Sequence, residues 1–163
     1  MATMTLSEFL QKNADQYEAE AAKNREVVRE WQEALPRLFA TIRGWIAESD
    51  PKGFIEVSES KTDVREPSLG WYKVPRLDIR AFSKWIGILP KVRMSVGTVR
   101  PPDATEPIWA TGRVDITNEI RRFVLYRVHD GGRDSWFIQD PTSNATKPLT
   151  KESFEEALLS YFL

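Results

Sequence analysis

The chain contains one histidine, His129, followed directly by Asp130 and, after the turn-forming pair Gly131-Gly132, by Asp134. An imidazole oriented by a carboxylate moves protons near neutral pH, so His129 with Asp130 or Asp134 is the acid–base set on which a small hydrolase would be built. The plainer reading is a polar residue at a strand end beside a turn, with no second histidine to complete a metal site or a triad. A second group, Asp50 with Glu59-Ser60-Lys61, combines the oxygen ligands and the cation that metal-assisted phosphate hydrolysis requires. Residues this common fall at such spacings in many charged chains, so the set means little without a structural context. The absence of cysteine excludes disulfides and thiolate metal sites. Neither a Gly-x-Gly phosphate loop nor a Gly-x-Ser-x-Gly nucleophile elbow occurs. No metal and no cofactor is expected.

Two larger patterns suit binding better than catalysis. Residues 71–133 carry a net charge of +6 between flanks of −4 (residues 1–70) and −3 (residues 134–163). Within that basic middle, Arg76, Arg80, Lys91 and Arg93 alternate with apolar residues and are interleaved with Trp71, Tyr72 and Trp85. A sheet face of that kind could follow a phosphate backbone while aromatic rings stack on bases. Against it, acids are interspersed, as in Arg76/Asp78/Arg80, and the isoelectric point is only 6.0. A solvated face with ion pairs along and between its strands accounts for the pattern more simply.

The second pattern is helical. Leu10, Ala14, Tyr17, Ala21, Asn24, Val28, Trp31, Leu35, Leu38, Ile42 and Trp45 follow one another at strict 4-3 spacing. In the second half, Val27, Ala34, Phe39 and Ile46 broaden this seam into a face suited to a domain core. In the first half its neighbours are Asn13, Glu18, Glu20 and Arg25, and the stripe stays narrow. A narrow seam is the form taken by a contact with a second helix. Residues 1–25 therefore read as a helical arm projecting from a single domain spanning 1–163. Its partner-binding positions would be Leu10, Ala14, Tyr17, Ala21 and Asn24.

Pro36 lies inside this pattern, where it removes one helical hydrogen bond. The 4-3 phase passes through it without slipping, which favours one bent helix over two separate ones. A straight helix over residues 5–48 would be about 66 Å long, whereas a compact domain of this size is about 40 Å across. After Pro51 and Gly53 the period changes to two, and strands are predicted at 54–60, 69–80, 85–97, 108–116, 120–129 and around Trp136. KTDVREPS and the stretch from Asp140 to Pro148 read as polar loops. Residues 150–163 read as a second helix, capped by Thr150 or Ser153.

The fold class predicted is α+β: a long kinked N-terminal helix or helix pair, a mostly antiparallel sheet of about six strands, and a C-terminal helix packed on the sheet. No stretch of the chain is long and apolar enough to span a bilayer, and the N-terminus lacks a secretory pattern, so a cytoplasmic protein with no membrane partner is expected. The reading that follows is a non-catalytic interaction module, self-associating as a homodimer or docking on a larger protein partner through the N-terminal helix. Nucleic-acid binding through Arg76, Arg80, Lys91 and Arg93 is the first alternative, and hydrolysis at His129 the second.

Overall fold

The computed structural model describes residues 3–94 and 96–163. One helix, α1, runs unbroken from Leu6 to Ser49 and contains Pro36. Its start is held by a capping box: the Thr5 hydroxyl accepts from the Glu8 amide and the Glu8 carboxylate accepts from the Thr5 amide, at 3.1 and 3.0 Å. Its end is set by Asp50, whose two carboxylate oxygens accept from the Phe54 and Ile55 amides and turn the chain toward the sheet.

Seven strands form the sheet, in the order β1(Glu56–Glu66), β2(Gly70–Ala81), β3(Lys84–Val92), β6(Arg113–Thr117), β7(Arg122–Asp130), β8(Arg133–Gln139) and β9(Thr146–Pro148), every neighbouring pair antiparallel. Two short strands, β4(Thr98–Val99) and β5(Ile108–Trp109), pair with each other in the excursion between β3 and β6. A second helix, α2(Lys151–Phe162), follows β9. Thr150 caps it in a reciprocal box with Ser153 at N3, so of the two candidate caps Thr150 is the N-cap and Ser153 supplies the returning side chain.

The α+β class, the helices at both chain ends and the antiparallel sheet are as the sequence predicts. The main sheet has one strand more than expected, because Thr146–Pro148 pairs with Phe137–Gln139 at the edge. KTDVRE, read as a loop, continues β1: Lys61, Asp63 and Arg65 are exposed on this edge strand, where their charges discourage further pairing, while Thr62, Val64 and Glu66 lie on its more buried side. Pro90 is tolerated within β3 beside a register shift between Pro90 and Val92, where a missing donor costs least.

One core lies between the helices and the sheet. Trp31, Leu35, Leu38, Phe39, Ile42 and Ile46 of α1 and Phe154, Ala157, Leu158 and Tyr161 of α2 meet Leu77, Ile79, Ile86, Ile88, Ile116 and Leu125. Fully burying each large apolar chain contributes about 1.5–3 kcal/mol. The β1–β2 hairpin is longer than the part of β2 that β3 supports. Its buried side changes from Leu77/Ile79/Ala81 to Tyr72/Val74 as the two-stranded ribbon twists toward α1. Gln32 and Asn24 of α1 clamp this ribbon, donating to the carbonyls of Lys73 (2.8 Å) and Ser68 (3.0 Å).

Candidate functional site

Two places combine exposure or charge with defined geometry. The first is the N-terminal part of α1. From Thr3 to Glu20 every residue but Asn13 is exposed, including Leu6, Phe9, Leu10 (56%) and Tyr17 (72%). Burial begins at Ala21 and Asn24, where the helix reaches the turn of the β1–β2 hairpin. Between Tyr17–Gln32 on the helix and Pro67–Tyr72 on the hairpin lies a groove of about 710 Å³, with Trp71 exposed in its wall.

Of the five seam residues read from the sequence, Leu10, Ala14 and Tyr17 are exposed to solvent. Ala21 and Asn24 line the groove, with Asn24 engaged by Ser68. The hairpin beside them is firmly held. Buried Glu66 accepts from the Tyr72 hydroxyl and from the backbone amides of Arg93 (2.9 Å) and Met94 (2.8 Å), tying the hairpin end to the end of β3.

The second place is a charged cluster under the middle of α1. The two-residue turn Gly131-Gly132, both at positive φ, fixes the β7–β8 register so that His129 lies directly opposite Asp134. His129 Nδ1 and Asp134 Oδ1 are 2.7 Å apart. At that distance the carboxylate orients the imidazole ring.

Arg127, fully buried, joins them. Its Nη1 and Nη2 grip Glu30 of α1, the former at 3.0 Å, and its Nε donates to Asp134 at 2.9 Å. The guanidinium carbon also stands 5.6 Å from the centre of the Trp31 ring, which stacks on Trp136 at 6.1 Å. Gly112 also lies against Trp31, since a Cβ there would be 2.5 Å from the indole. Burial pushes the Glu30 and Asp134 carboxyls up. The hydrogen bond and charge of Arg127 on Glu30, and those of His129 and Arg127 on Asp134, outweigh it and hold both below their ordinary values.

Ligand atoms of Glu30, His129 and Asp134 lie within 4.8 Å of one another, the one group among the described residues with the donor set for a metal ion. The Arg127 guanidinium already stands among them, with Nη2 2.8 Å from Asp134 Oδ1 and 3.3 Å from His129 Nδ1. A divalent ion there would face a buried cation across a few ångströms, so these donors fit an arginine better than a metal. As an acid–base site the cluster has an oriented imidazole, and Asp134 lines a groove of about 510 Å³ with Arg37, Thr41 and Trp136. Asp130, the other aspartate considered, is exposed and pairs across the turn with Arg133.

The remaining sequence candidates are dispersed. Arg76 is bidentate to Asp78 on the same strand (3.1 and 2.7 Å), and Arg80 and Lys91 are exposed. Arg93 is half-buried, its charged form disfavoured by burial and by Arg127, so it belongs with the α1 side of the sheet. Asp50 is used in the turn after α1, while Glu59 faces Arg43 at 3.6 Å.

Sequence reasoning found His129 and Asp134 but missed Glu30, Trp31 and Arg127 as their setting. A signal for Arg127 existed: in β7 it shares the alternating phase of Phe123 and Leu125, the inward positions. Compared with family models, with curated proteins and with solved structures, the chain finds no match.

Proposed function

We propose that the protein is a non-catalytic interaction module that docks on another protein chain, a second copy of itself or a larger partner, through the N-terminal part of α1. The observation that carries this reading is the exposure of Leu6, Phe9, Leu10 and Tyr17 on a helix whose start is capped. A helical stretch of that length without tertiary packing is marginal by itself in water, and burying its apolar side chains against a partner would stabilise it. A helix laid into a groove or against a second helix is a recurrent recognition mode with anchors at this spacing.

Deleting residues 1–20 tests the reading while keeping the Asn24 and Gln32 clamps. The truncated chain is expected to keep its thermal midpoint within a few degrees by circular dichroism, since the core starts at Trp31. Self-association by light scattering, or co-purification with a partner, should be lost. Association that survives the deletion unchanged would overturn the proposal.

A further inference from the structure

Resting on that docking reading, we infer that the occupant of the α1 seam is the same helix of a second copy, running antiparallel, with Leu10 against Ala21 and Tyr17 against Ala14 of the second copy. The seam positions alternate between large and small: Leu10, Ala14, Tyr17, Ala21. A parallel, in-register pair would oppose Tyr17 to Tyr17 and Ala14 to Ala14, crowding one layer and leaving a void in the next. The antiparallel pair places each large side chain over a small one, as dense packing requires.

The hairpin selects among the antiparallel registers. Sliding the helices one heptad deeper would set Leu10 opposite Val28. The first turn of the second helix would then pass Asn24 and approach Gln32, and would have to displace two side chains that are bonded to the hairpin. That deeper register also sets Glu18 against Glu18 and Glu20 against Glu20 of the second copy. In the register inferred here the flanking pairs are Gln11 with Glu18 and Asn13 with Glu20, and no like charges face each other. The second helix ends at the level of Arg25, so its first turn enters the 710 Å³ groove beside exposed Trp71. Because Glu66 anchors the hairpin, that wall acts as a fixed stop.

The overlap is about 20 residues, or about 30 Å of helix. Such a contact buries on the order of 1,000 Å² in total, near the lower limit for a specific interface. The dimer is therefore expected to be concentration-dependent, with copies exchanging.

The chain has no cysteine, so single cysteines report contacts cleanly. Under mild oxidation, an equimolar mixture of Leu10→Cys and Ala21→Cys proteins should give a disulfide-linked dimer, whereas neither protein alone should. A parallel pair would crosslink each single variant with itself and overturn the inference, while leaving the docking proposal standing. Tyr17→Glu should raise the dimer dissociation constant at least about tenfold. A single mass corresponding to monomer at every concentration, with no crosslink in the mixture, would also overturn the inference. If deletion of residues 1–20 then still abolished co-purification with a larger protein, docking through α1 would remain with a different occupant.

Discussion

Arg127 shows how one inward-facing charge can organise a region of a core. A guanidinium removed from water is costly, and Glu30, Asp134 and the Trp31 face together compensate it. Taking away the cation leaves two half-buried carboxylates beside each other and removes the cation from the Trp31 ring. Arg127→Met is therefore expected to destabilise the fold by about 3–5 kcal/mol, read as a lower urea midpoint. Adding Glu30→Gln to that variant removes one of the orphaned charges and should recover part of the loss. An additive double variant would mean that the two residues are not coupled.

Among the elements, α1 does two jobs with one periodicity. Its second half buries Trp31 through Ile46 against the sheet, and its first half leaves the continuing seam exposed. Pro36 sits at an exposed position within the buried half, where its only evident consequences are the lost hydrogen bond and the clash with the carbonyl of Gln32. Pro36→Ala should stabilise the protein by up to about 3 kcal/mol, measured by denaturant unfolding. A loss of stability would show instead that the core depends on the helix path this proline imposes. The β1–β2 hairpin is the second element with a double role, since its twisted end both closes the core over Tyr72 and blocks the seam at Asn24.

For the molecule as a whole, several arginines of the basic middle of the chain are paired with acids, some of them from the flanking segments. Arg113 is paired with Asp115 at 2.8 and 3.0 Å, Arg76 with Asp78, and Arg127 with Glu30 and Asp134. These pairings set the acid response. The Glu30, Asp78 and Asp134 carboxyls are held below their ordinary values in the folded state, so their contribution is present above the unfolded carboxylate pKa of about 4. It is lost as pH falls through the folded values. The thermal midpoint should accordingly drop as pH is lowered below about 4, and drop less steeply in Asp134→Asn, whose ion pairs are already gone. Equal slopes in the two proteins would exclude Asp134 as a source of the acid sensitivity.

Local periodicity determined much of this protein from its residues alone. The 4-3 seam specified a helix through Pro36, alternation specified most strands, and Gly131-Gly132 specified a tight hairpin, because each rests on near-neighbour backbone geometry. That hairpin also placed His129 opposite Asp134, since a two-residue turn sets the register beyond it. Other features depend on contacts across long sequence separations, which no local pattern encodes. Glu30 meets Arg127 across 97 residues, and Arg93 turns toward α1 instead of joining Arg76 and Arg80. Likewise, Asn24 reaches Ser68 across 44 residues, and that contact divides the seam into an exposed part and a part bounded by the hairpin. The spacing of apolar residues makes a helix face sticky wherever it lies, but only the packing of the rest of the chain determines which stretch of that face is already covered.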